Sequence, residues 1–240
     1  MLTGPIQIQS NDWGVISSAQ NQPLGASAET TDGRVFKYGL AGAADLAIGK
    51  LAQQAAVVAN HQNIAVAAAA AAGATQVTVT LGATAATANQ YAGGYLNVID
   101  SAGAGATYLI SGHPAASASG SLVVNLSEPI TTALTTSSKV NLTTNPYSKL
   151  VISAVTTISY IAGVPGIAVT AAYYGWFQVR GVASVLSDGA ITAGKGLKPS
   201  DLVTGAVEAE VDTDTTVRIG TAYNNNTVDT KYSAAYLRIV

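Results

Sequence analysis

Strict alternation of apolar and polar residues recurs along this chain and predicts strands. In "TQVTVTLG", residues 75–82, Val77, Val79 and Leu81 fall on one side and Gln76, Thr78 and Thr80 on the other, the period-2 pattern of a half-buried strand. "GGYLNVIDSAGAGATYLISGH", residues 93–113, predicts a hairpin: Tyr95–Ile99 out, a loop holding Gly103 and Gly105, and Tyr108–Ile110 back. "GSLVVNLSEP" and "SKVNLTTNP" repeat the theme, and each ends at a proline that cannot continue a central strand. Before this region "DGRVFKYGL" reads as a turn and a strand. After it, "YYGWFQVRGVASVL", "GAVEAEVDTDTTVRIGTAYN" and "SAAYLRIV" are strands separated by polar, glycine-bearing turns. Two segments are ambiguous. "LAIGKLAQQAAVV" fits a strand or a short helix, and the Ala67–Ala72 run favours helix by propensity but is too short to stand alone before Gly73. The predicted fold class is all-β.

Charge divides the chain into three blocks. Residues 1–50 carry Asp12, Glu29, Asp32, Arg34, Lys37, Asp45 and Lys50; between Leu51 and Ser138 only Asp100 and Glu128 are charged; beyond Arg180 mixed charge returns. An uncharged middle between charged ends predicts an inserted β-module at 63–146 within a split β-barrel or sandwich core at 30–62 plus 147–240, preceded by an extended arm at 1–29. That arm is rich in Gln, Asn, Ser and Gly yet holds Ile6, Ile8 and Trp13, which predicts that it gains order by packing on a surface, such as a neighbouring subunit. Only 10% of the residues are charged, against about 25% in ordinary soluble domains, so the composition suits a subunit whose surface is covered in an assembly. The net charge of −2 and the lack of a basic run argue against a nucleic-acid ligand. Cysteine is absent, so no disulfide framework or thiolate metal site is expected. "MLTGPIQIQS" has no secretory pattern.

Several stretches suggest chemistry. "DGAITAGKGLKPSD" approaches the spacing of a phosphate-binding loop, but Gly196 stands where Ser or Thr would hold magnesium, and Pro199 opposes the helix such a loop opens. It reads instead as a strand connection. Leu150–Val179 has no charge and is long enough to cross a bilayer, yet Gly163, Pro165 and Gly166 interrupt it, which predicts buried strands joined by a Gly163–Gly166 turn and no membrane contact. His61 and His113 have no nearby acid, and a Ser111, His113 and Asp100 triad carries no weight among so many serines. No catalytic constellation, metal or cofactor is expected. Trp13, Trp176, Tyr173 and Tyr174 fit core packing better than a sugar platform. In "VEAEVDTDT", Glu208, Glu210, Asp212 and Asp214 alternate with uncharged residues, so one strand face would carry all four at ~7 Å spacing. Such a ladder is either solvated, or a calcium site, or a contact to a basic strip on a neighbour bearing Arg180, Lys195 or Lys198.

"YYGWFQVRGVASVLSDG", "GAITAGKGLKPSD", "GAVEAEV" and "VRIGTAYN" resemble the carboxy-terminal half of Ala- and Gly-rich decoration, or cement, proteins of tailed-bacteriophage capsids, and "GATQVTVTLG" with "GGYLNVIDSAGAGATYLI" is similar to β-modules inserted in such proteins. The resemblance covers about two thirds of the chain. It implies a non-enzymatic, β-rich virion subunit made in the host cytoplasm, commonly a homotrimer, seated on the capsid exterior between major capsid protein subunits. The alternative is a receptor- or glycan-binding structural protein of a tail or fibre. On either reading the expected contact residues are Ile6, Ile8, Trp13, Arg180, Glu208, Glu210, Asp212 and Asp214.

Overall fold

The computed structural model describes residues 6–8, 12–156, 159–211 and 217–239. Those residues are nearly all β, with a near-closed antiparallel barrel-like sheet and a larger mixed sheet. In chain order the strands are β1 (Ile6–Gln7), β2 (Ser27–Glu29), β3 (Val35–Leu40), β4 (Ala52–Gln53), β5 (Ile64–Ala65), β6 (Gln76–Thr80), β7 (Tyr95–Asp100), β8 (Thr107–Gly112), β9 (Ser121–Leu126), β10 (Lys139–Thr143), β11 (Val151–Ile152), β12 (Ile161–Pro165), β13 (Tyr174–Leu186), β14 (Gly196–Pro199), β15 (Val207–Ala209), β16 (Gly220–Ala222) and β17 (Tyr232–Arg238). The chain divides into two compact units, Met1–Ala55 with Pro146–Val240, and Ala56–Asn145.

The 56–145 unit follows its alternation closely. Its sheet runs β5-β10-β7-β8-β9-β6, and a bridge between Val66 and Val79 brings the last strand back to the first. Inward positions, among them Val77, Val79, Leu96, Val98, Ile110, Leu122, Val124, Val140 and Leu142, are buried in one cluster. Filling the interior with Val, Ile and Leu is what a barrel this narrow requires, at about 1.5–3 kcal/mol per buried side chain. The Ala67–Ala72 run forms no helix. Ala70 instead exchanges backbone bonds with Leu134, at 3.0 and 2.8 Å, so tertiary pairing overrides a local preference that six residues cannot sustain.

The other unit is built on β13, which pairs with β3, β12 and β17 along its length. From there the sheet extends through β2 to β1 on one side and through β17, β16 and β14 to β15 on the other. "LAIGKLAQQAAVV" supplies only the two-residue β4, between β11 and β12. The expected Gly163–Gly166 turn is a correction. β12 runs through Gly163 at φ +137°, and the chain reverses after Pro165. A Cβ at Gly163 would lie 2.8 Å from the Gln178 carbonyl oxygen, so this glycine serves a close crossing against β13, not a reversal. No helix among the described residues is long and apolar enough to cross a membrane.

Each face of β13 meets a different environment. Phe177, Val179, Ala183 and Val185 point into buried apolar layers. On the opposite face Tyr174 and Trp176 are roofed by residues near the amino terminus and Gln178 is buried, while Arg180, Val182 and Ser184 are open. The roof is Ile6, Ile8 and Trp13 against Phe36, Tyr38 and Trp176, with β1 paired in parallel to β2.

Candidate functional site: an open sheet face

The expected contact residues separate into three groups. Ile6, Ile8 and Trp13 pack on their own chain, where Trp13 stacks on Phe36 with centroids 6.1 Å apart and the Arg34 guanidinium lies 5.4 Å from the indole. Gly166 makes room for this indole, which occupies the space a Cβ there would need. Trp176 and Tyr174 join the same cluster through Tyr38, the first edge-on at 5.0 Å and the second stacked.

Glu208 and Glu210 find cations within the chain. The β14–β15 register sets Lys198 opposite Glu208, and their side chains pair at 2.7 Å with Lys198 buried. Glu210 takes Nε of Arg218 at 2.7 Å, with the guanidinium's outer nitrogen also in contact. This arrangement differs from solvation, calcium binding and a neighbour's basic strip, and Lys198 is taken up by its own chain. The pairing was hidden because it depends on strand register: β14 lies between β15 and β16, which returns Arg218 beside Glu210. Asp212 and Asp214 lie outside the described residues. Gly196 begins β14 rather than a helix, and a Cβ there would collide with the Glu210–Arg218 pair.

Both histidines are buried in the 56–145 unit around Tyr91. His61 donates from Nε2 to the Thr84 carbonyl at 2.9 Å and accepts the Tyr91 hydroxyl at Nδ1; His113 donates from Nδ1 to the Pro114 carbonyl at 2.8 Å and accepts the Tyr91 amide at Nε2 at 3.0 Å. All four ring nitrogens are engaged, so the cluster is a packed polar network without a free nucleophile or base. Burial pushes the Tyr91 phenol up to about 12, against the lowering effect of a hydrogen bond from Gln90. A raised phenol favours the fold while it stays neutral. Stability is therefore full below pH about 10 and falls as pH climbs through about 12, by roughly 2–3 kcal/mol from this group. Urea unfolding at pH 8 and pH 11.5 should show most of this loss in the native chain and a smaller one in Tyr91→Phe; equal losses would refute it. Among the described residues no three His, Cys, Asp or Glu side chains gather as a metal site.

Arg180 leads to the remaining surface. It stands opposite Arg238 in the β13–β17 ladder, and the next pairs along the same face are Val182 with Tyr236 and Ser184 with Ala234, while at the strand's end Tyr232 lies opposite the buried Leu186. Val182 is 40% exposed and Tyr232 50%, while the intervening Ala183, Val185, Ala235 and Leu237 are buried on the far side. Arg180 and Arg238 are both exposed, and neither forms an ion pair with a described residue. Two cavities meet at Arg34 and Val182. One, of about 160 Å³, runs from Trp13 and Gly166 to Ser184; the other, of about 410 Å³, lies between the Asp32–Arg34 turn and Tyr236. Nε1 of Trp13 is buried and has no hydrogen-bond partner among the described residues. The face thus offers the hydrogen-bond donors of Arg180 and Arg238 beside an apolar strip of Val182, Tyr236 and Tyr232. No family model, curated protein or solved structure matches the chain.

Proposed function

We propose that this protein is a non-enzymatic structural subunit of a virion, which docks on the assembled head through the open β13–β17 face and stabilises the shell. One observation carries the docking surface: a sheet face with exposed Val182 and Tyr232, half-buried Tyr236 and two arginines without an ion pair among the described residues, in a chain with little charge elsewhere to keep surfaces apart. The resemblance of residues 173–224 to capsid decoration proteins supplies the biological setting. The partners on this reading are the major capsid protein and further copies of the chain as a homotrimer. The mechanism is linkage: a subunit that binds only the assembled lattice shifts the equilibrium toward it.

Quantitative mass spectrometry of purified virions tests the setting. A head decoration protein is expected at a copy number comparable with that of the major shell subunit. A copy number matching a tail tip or fibre would move the chain to receptor or glycan binding, and absence from the particle would overturn the reading.

A further inference from the structure

We infer that the open face receives a carboxylate-bearing protein segment, with one acidic side chain bridging Arg180 and Arg238 and an adjacent apolar side chain resting on Val182 and Tyr236. The inference deepens the proposed function, because it rests on that face being the docking surface, and it names the partner's chemistry.

Of the chain's four arginines, Arg34 pairs with Asp32 at 2.8 Å and Arg218 with Glu210, whereas Arg180 and Arg238 stand opposite each other on neighbouring strands with no ion pair to a described carboxylate. Like charges placed directly opposite in a ladder oppose pairing. A bridging carboxylate reverses that sign, since each planar guanidinium offers a fork of donors matched to carboxylate oxygens. Arg238 is already steadied, with its guanidinium 5.5 Å from the centre of the Tyr236 ring. A groove of this face runs between the Asp32–Arg34 turn and the side chains of Val182 and Tyr236. Asp32 is the acid that borders this groove, and Arg34 neutralises it. The face therefore carries surplus positive charge and surplus donors on a chain whose net charge is −2.

Protein is favoured over nucleic acid. Binding a phosphate backbone needs a run of cations to release counterions, and here two arginines are followed by an apolar pair. That sequence of charge then apolar surface matches an acidic residue with an aliphatic neighbour.

The test is an NMR titration of the full-length protein with a blocked peptide, acetyl-Asp-Val-Asp-Leu-amide, at low salt. Saturable shifts are expected at the Nε–H signals of Arg180 and Arg238 and the amides of Val182 and Tyr236. Affinity should fall at least tenfold in the Arg180→Gln/Arg238→Gln double variant and for the peptide with Asn in place of Asp. Both substitutions are at exposed positions, so the double variant should fold. Shifts that are absent, lie elsewhere or persist in the double variant would overturn the inference. Tighter binding of inorganic phosphate or duplex DNA than of the acidic peptide would also overturn it, in favour of a phosphate ligand. The two readings fail separately. Peptide shifts at the face with no protein on virions would sink the virion role alone, and virion occupancy unaffected by Arg180→Gln/Arg238→Gln would sink the carboxylate inference alone.

Discussion

Replacing Tyr91 with alanine is expected to destabilise the 56–145 unit by about 3–5 kcal/mol, the range for removing a large aromatic side chain from a closed core. The ring is 1% exposed, and its hydroxyl and amide engage His61 and His113 respectively. Truncation leaves a cavity and also strands Nδ1 of His61 inside it, which adds a desolvation cost. Tyr91→Phe keeps the volume and loses only the hydroxyl, so its cost should be about 1–2 kcal/mol. Urea unfolding followed by tryptophan fluorescence would miss this, because both tryptophans, Trp13 and Trp176, belong to the other unit. Amide hydrogen exchange read at Leu96, Ile110 and Leu122 reports it directly. Protection there unchanged in Tyr91→Ala would show that the histidine network does not hold the barrel together.

Lys198→Ala is expected to cost about 3 kcal/mol, by leaving the Glu208 carboxylate without its cation. The lysine side chain is 9% exposed and that of Glu208 17%, so water compensates poorly. A double replacement, Lys198→Met with Glu208→Leu, should recover most of the loss, because removing both charges also removes the desolvation penalty. Chemical denaturation of the three proteins at pH 7 decides the matter. A loss below about 0.5 kcal/mol for Lys198→Ala would mean that the pair behaves as an exposed one.

Local pattern carried much of the fold. The alternation of Val77, Val79 and Leu81, the Tyr95 to Ile110 hairpin and the long "YYGWFQVRGVASVL" strand are visible because period 2 and turn glycines are local signals, and the structure has β6, β7, β8 and β13 at those places. What the pattern could not supply was pairing over distance. Gly163 looks like a turn residue in sequence, and only the crossing of β12 against the Gln178 carbonyl explains it. The ladder of Glu208 and Glu210 gave no sign of partners in its own chain, because Lys198 reaches it from β14 and Arg218 from the segment before β16. Arg180 was named from the sequence as an expected contact residue, but that Arg238 stands opposite it could not be read there. Their meeting depends on the β13–β17 register, and Tyr236 and Val182 enter the face by the same register. The unpaired indole nitrogen of Trp13 left no trace in the sequence at all.

The central claim is that the open face, rather than another surface, meets the particle. Co-sedimentation of purified protein with shells stripped of it tests this most directly, comparing the native chain with Arg180→Glu/Val182→Asp. Both positions are exposed on β13, so the variant should keep its fold, as judged by circular dichroism. The account predicts that the native chain pellets with shells in a salt-dependent manner and that the variant stays in the supernatant. A variant that pellets as well as the native chain would place the contact elsewhere and contradict the account.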